Sequence, residues 1–197
     1  DTRDATYPDI GADEYICDFL VWRGRTSTDW ADNTNWQQTL VPTITDNVLI
    51  PDVSLKSGNF PIISTAAETN DLTIYSGANL QIQPDYSLTV EGTLTNNQGI
   101  DGLIIHSDAS GTGSLIHSTA DVSATVELYF AGTQWHYLTA PTEDAPLSLF
   151  NTNNFYFYDE SIPDSWVGGL FDDEMGWTIY TNPTLTSMQG YAYYYVQ

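Results

Sequence analysis

The chain has 197 residues, enough for one large or two small domains with real cores. Four basic residues stand against 26 acidic ones, a formal charge of −22, yet charged residues are only 15% of the chain, so Ser, Thr, Asn and Gln carry most of the polar surface. That field repels nucleic acid and anionic lipid, so neither is expected as a partner, and the composition is that of an extracellular β-protein rather than a cytosolic enzyme.

One cysteine, Cys17, leaves no intrachain disulfide and no thiolate metal site, and reads as a small buried thiol. No apolar run is long enough to span a membrane, so direct membrane insertion is not expected. The first residues, DTRDATYPD, are polar from the start, as in a mature segment or one cut from a longer protein. No N-x-[ST] acceptor occurs, which points away from a eukaryotic secreted glycoprotein.

In chain order, residues 1–20 read as a tail or linker. Within them PDIGADEY (Pro8, Ile10, Gly11, Ala12, Glu14, Tyr15) resembles the closing motif of right-handed parallel β-helix domains in bacterial secreted proteins. The resemblance implies an Ile packed on a last coil, a Gly turn and an acidic-aromatic tail; the alternative is a disordered acidic leader.

Residues 21–51 are rich in tryptophan. Trp22, Trp30 and Trp36 fall at intervals of eight and six, which no helical period fits, and Asp32, Asn33 and Asn35 between them are turn formers. We read the three indoles as a hydrophobic lid over an open first coil, with a sugar-stacking platform as the functional alternative. The order W-x-G-x-x-S-T-D-W-x-x-x-x-N-W, then P-x-x-x-D-N-V-x-I-P, resembles an adhesin-like module of very large bacterial cell-surface proteins exported by type IX secretion.

Residues 48–122 carry the repeat that organises the chain, within a predicted β-solenoid spanning 21–122. LTIYSGAN, LQIQPDYS and LTVEGTLT align on Leu72, Leu80 and Leu88, spaced by eight, with Ile74, Ile82 and Val90 two residues after each. An L-x-[IV] pair after each polar turn predicts short strands with one buried face, repeated and stacked. No Asn-Gly or Asp-Gly turn separates these units, which favours parallel stacking over hairpins. An antiparallel sandwich is the competing fold, which periodicity alone does not exclude. Asn96 and Asn97 are expected to form a polar ladder, and GLIIHS and GSLIHS are two further strands.

Residues 123–197 predict an antiparallel β-sandwich: ATVELYF, WHYLTAP, FYFYDE, GWTIY and GYAYYYV, divided by clusters such as PTEDAP and DESIPDS. Tyr156 and Tyr158, and Tyr191, Tyr193 and Tyr195, give phenol stripes. The surface-protein resemblance continues here through the TVE-x-Y, W-H-Y-x-x-x-P, G-W and G-Y-A strands, with Leu128 where a basic residue is expected. The fold expected overall is all-β: a short parallel β-solenoid followed by an antiparallel β-sandwich.

Chemistry is sparse. His106 and His117 end parallel phrases eleven residues apart, with no third ligand spaced with them, and read as two equivalent corner residues. GTGSL at 111–115 is not a nucleophile elbow. A polysaccharide lyase needs a cation beside a uronate, and Arg3, Arg23, Arg25 and Lys56 all avoid the central repeats. A glycosidase needs two facing carboxylates, and the acidic residues of the second half sit in loops. Hard-cation chemistry is the alternative for those loops: Asp159, Glu160 and Asp164, with Asp172, Asp173 and Glu174, could share a Ca²⁺. Trp166, Trp177 and Tyr193 are the candidate sugar-stacking residues.

The reading is a non-enzymatic structural or adhesive module of a large secreted bacterial surface protein, acting outside the cell as a stiff spacer. Its expected partners are other domains or copies of that protein. The alternatives are a carbohydrate-binding module with glycan partners and a fragment of a polysaccharide-degrading β-helix enzyme.

Overall fold

The computed structural model describes residues 18–162, 165–167, 170–172 and 176–197. The segment resembling a β-helix closing motif, and Cys17, lie outside the described residues. The chain is all-β and forms two compact units. The first runs to His106 and adds Thr112–Thr125; the second is Val126–Gln197 with Ser107–Gly111.

The first unit is a parallel β-solenoid with three faces. On one face Phe19–Val21, Asn47–Ile50, Leu72–Ile74 and Leu94–Asn96 stack in that order, all parallel. On the next, Ile62–Ile63, Leu80–Ile82 and Leu103–Ile105 stack in the same way. The third holds Ala67–Thr69, Ser87–Val90 and Ser114–Ile116. The strands are two to four residues long, and Leu72–Ile74, Leu80–Ile82 and Ser87–Val90 bury alternate side chains, which is what the L-x-[IV] phrase dictates.

The in-register stacking builds columns. Leu20, Val48, Leu72 and Leu94 form one; Ile63, Ile82 and Ile105 form another. Each fully buried Leu or Ile contributes about 1.5–3 kcal/mol relative to an exposed one.

The eight-residue series therefore needs one correction. Leu72, Leu80 and Leu88 all point inward, at 0% exposure, but they lie on three different faces of one coil. Eight residues is one side of the coil with its corner. The stacking repeat is the step from Leu72 to Leu94, its partner one coil later.

The polar ladder also sits elsewhere than expected. Asn70 donates from Nδ2 to Asn47 Oδ1 at 2.8 Å, joining neighbouring coils at the corner before the first face. Asn96 instead donates to the Gly99 carbonyl, closing its own corner, and to the Ser123 carbonyl 27 residues on. Thr69, fully buried, satisfies its hydroxyl on the carbonyl of Asp46 at 2.7 Å.

The tryptophan loop belongs to the coil. Trp30 donates its backbone N–H to the Ile62 carbonyl, and Ile62 returns the bond to Thr28, so Thr28–Trp30 forms the rung before Ile62–Ile63. Trp22, Trp30 and Trp36 are buried, with Trp36 edge-on to both others at 5.0 and 4.8 Å between centroids. Buried indoles offer no face to a sugar; their role is to close the hydrophobic interior. Gly24, at φ +54°, lets the chain leave Trp22 so tightly that a Cβ would meet the Asn59 carbonyl oxygen.

Asn35 pins this loop. Its Oδ1 accepts from the backbone N–H groups of Thr26 and Ser27 at 2.9 and 3.0 Å. Its Nδ2 donates to Ser27 Oγ and the Asp29 carbonyl, both at 2.9 Å. Asp32 supports the same turn: the hydroxyl and then the N–H of Thr34, with the Thr26 hydroxyl, hold its carboxyl below the usual carboxylate range. Asn35→Leu keeps the volume but strands buried donors, so we expect a loss of about 1–3 kcal/mol in denaturant unfolding. A neutral Asn35→Leu would show that the loop is not held by this side chain.

The second unit is antiparallel. Gln134–Thr139, Gly190–Tyr195, Phe155–Tyr158 and Trp177–Ile179 form a four-stranded sheet in that order. Its inner face packs Phe155, Tyr191 and Tyr193 against a second layer of loops carrying Phe130, Leu147, Phe150 and Leu185. Short 3-10 turns at Leu147–Leu149 and Thr152–Asn154 build part of that layer. Phe155 lies 5.1 Å from Tyr191 and 4.8 Å from Phe150 between ring centroids. The buried phenols keep polar partners: Tyr180 donates to the Thr184 carbonyl at 2.9 Å, and the Thr186 N–H donates to Tyr191 at 2.6 Å.

Candidate ligand-binding face

Strand parity divides the aromatic residues of the second unit into two sets. Phe155, Phe157, Tyr191, Tyr193 and Tyr195 belong to the core cluster or pack on it. Trp135, Tyr137, Tyr156, Tyr158, Trp177 and Tyr194 occupy the opposite parity, facing out.

The register brings these outward rings together. Trp135 pairs with Tyr194, and Tyr158 with Trp177, across neighbouring strands. Their ring centroids lie 5.2 and 5.3 Å apart. Tyr137 reaches Trp177 at 6.2 Å, and Trp135 reaches Tyr156 at 5.6 Å. Ala192 sits between them, opposite both Tyr137 and Tyr156. Its methyl group leaves a trough of about 380 Å³ floored by Ala192 and walled by Trp135, Tyr137, Tyr156 and Trp177.

A second open cleft of about 590 Å³ continues from Tyr137 and Trp177. Tyr158 lines it with the polar side chains of Thr139, Glu160 and Gln189. Gly176, at φ +102°, approaches the Tyr158 ring so closely that a Cβ would collide with it, which sets Trp177 against Tyr158. Exposure here is high: Tyr137 is 78% and Trp135 51% accessible, against 37% for Trp177.

Of the sugar-stacking residues expected from the sequence, Trp177 lies on this face. Tyr193 does not: it is 6% exposed, inside the core, because the register turns odd-numbered residues of Gly190–Tyr195 inward. Trp166 lies in the strand Ser165–Val167, paired antiparallel with Leu170–Asp172, and its side chain is outside the described residues. Trp135 and Tyr137 were missed as site residues, although the alternation W-x-Y in a strand is the signal that marks them.

Of the acidic residues considered for Ca²⁺, Asp164, Asp173 and Glu174 lie outside the described residues, as does the side chain of Asp172. Asp159 is engaged locally: the Ser161 hydroxyl and N–H donate to Oδ1 at 2.6 and 2.9 Å and hold its carboxyl below the usual range. Glu160 lines the aromatic cleft instead. Among the described residues no group of three His, Cys, Asp or Glu is placed to share an ion. His106 and His117 follow strands of different faces, and His106 meets Gln81 at 3.1 Å.

What the face can do is bind a flat, partly apolar ligand in an open trough with hydrogen-bonding groups at one end. No curated protein and no solved structure matches the chain. A family model described as "Domain of unknown function (DUF8693)" matches residues 21–194, and the chain belongs to that family.

Proposed function

We propose that the chain is a non-enzymatic structural and adhesive module of a large bacterial surface protein exported by type IX secretion. The observation that carries this reading is the parallel, in-register column Leu20–Val48–Leu72–Leu94, which makes the first unit a continuously hydrogen-bonded stack. Such a stack resists bending and spaces what it carries from its anchor. The outward aromatic sheet of the second unit supplies a surface for contact. Neighbouring domains or further copies of the same surface protein are the chain's partners in this reading.

Protease shaving of intact cells that produce the protein tests this reading. Peptides from residues 18–197 should be released from whole cells, and should disappear from the surface fraction when type IX export is blocked. Recovery only after cell lysis would overturn the assignment.

A further inference from the structure

We propose that the outer face of the four-stranded sheet binds a neutral polysaccharide chain, laid along the trough over Ala192, with sugar rings stacked on Trp135, Tyr137 and Trp177. This rests on the adhesive reading above and names the class of ligand that the same face takes.

Three observations select this ligand. First, the rings are presented openly on a sheet, Tyr137 at 78% and Trp135 at 51% exposure, rather than sunk in a closed cavity. An exposed ring can take the C–H face of a pyranose while the phenol or indole edge stays free to hydrogen-bond. Second, the trough runs into a cleft with an amide, a hydroxyl and a carboxylate: Gln189, Thr139 and Glu160. Those are donors and acceptors matched to sugar hydroxyls, and a carboxylate takes two neighbouring hydroxyls at once.

Third, charge disfavours acidic occupants. The stretches Ser107–Gly111 and Val126–Gln197 contain ten acidic residues and no lysine or arginine. A uronate or sulfated glycan would find no cation to pair with and a carboxylate in the cleft. A second copy laid face to face on this sheet would bring the same negative field against its own kind. A neutral polymer with many hydroxyls avoids both costs.

Affinity electrophoresis of the whole chain tests the proposal, in gels containing xyloglucan, mixed-linkage β-glucan, glucomannan or dextran, with polygalacturonate and alginate as acidic counterparts. We expect retardation by at least one neutral polymer and by neither acidic one. Trp177→Ala and Trp135→Ala should each weaken binding tenfold or more, and Trp177→Phe should stay within about threefold, because a flat ring remains. Circular dichroism should be unchanged in these variants, since both indoles point outward.

No retardation by any neutral polymer, retardation by the acidic ones, or binding indifferent to both tryptophan substitutions would overturn the proposal. Adhesion of the chain to fixed cells separates it from the broader reading. Adhesion abolished by Trp135→Ala but not competed by excess neutral polysaccharide overturns the glycan and leaves an adhesive face. Adhesion unaffected by either tryptophan substitution overturns both.

Discussion

Replacing Trp36 with alanine should cost the first unit about 3–5 kcal/mol, the range for removing a fully buried aromatic side chain. Trp36 is 0% exposed and is the middle member of the cluster, edge-on to Trp22 and to Trp30. Each edge-to-face pair adds about 0.5–1.5 kcal/mol beyond burial alone. Its Nε1 also donates to the Trp30 carbonyl at 2.9 Å, in a buried site where that carbonyl has no water to turn to. Trp36→Phe refills most of the volume and keeps a ring between the neighbours, so its cost should be clearly smaller, with the lost hydrogen bond as the remainder. Far-UV circular dichroism in guanidinium measures both, since fluorescence would confound a tryptophan substitution. Trp177→Ala, on the outward face of the second unit, is the control and should leave the first unit's transition in place. A Trp36→Ala chain within about 0.5 kcal/mol of the parent would place it with surface substitutions and remove the cluster from the account of how the coil is closed.

The same cluster shows what a sequence reading can and cannot reach. The turn formers around Asn35 mark a loop, and three indoles with no helical period mark an apolar cluster, which is buried. That Thr28–Trp30 also serves as a rung is not legible, because the partner is Ile62, and nothing local to either segment announces the other. Phe19–Val21 was hidden for a related reason. Three residues next to a tryptophan carry too short an alternation to mark a strand until Asn47–Ile50 is set beside them. The leucine series was the opposite case: its inward direction could be read directly, while its period was misassigned from stack to perimeter. Both arrangements bury every leucine, so burial patterning alone does not separate them.

In the second unit the limit is parity. GYAYYYV predicts a strand with Tyr191, Tyr193 and Tyr195 on one face and Ala192 and Tyr194 on the other, but nothing in the strand itself says which face is the core. The choice falls to the partners: Tyr193 opposite Phe155 goes to the core, and Ala192, opposite Tyr137 and Tyr156, goes to the trough. A one-residue slip would exchange those roles entirely. This is why Tyr193 could be expected on the surface and is found buried, while Trp177, whose strand is short and mixed, could be placed.

Leu72 gives the sharpest test of the stack. It is 0% exposed and sits mid-column, with Val48 before it and Leu94 after it. Leu72→Ala should cost about 2–5 kcal/mol, the sum of lost burial and of a cavity that flanking rungs cannot close. The cavity term should be near its upper end here, because each rung is hydrogen-bonded in register to two neighbours and cannot collapse without breaking those bonds. Thr73, the next residue, points out of the coil, and Thr73→Ala should stay within about 0.5 kcal/mol. Because a solenoid couples each coil mainly to its neighbours, the damage should also be local. Amide exchange should quicken in Asn47–Ile50 and Leu94–Asn96 together with Leu72–Ile74, while the antiparallel sheet Gln134–Thr139, Gly190–Tyr195 keeps its protection. Equal costs for Leu72→Ala and Thr73→Ala would mean that neither face of that strand is the interior. Faster exchange in the Leu72 strand alone would mean that the rungs carry load singly, and a stack of independent rungs would not make a stiff spacer.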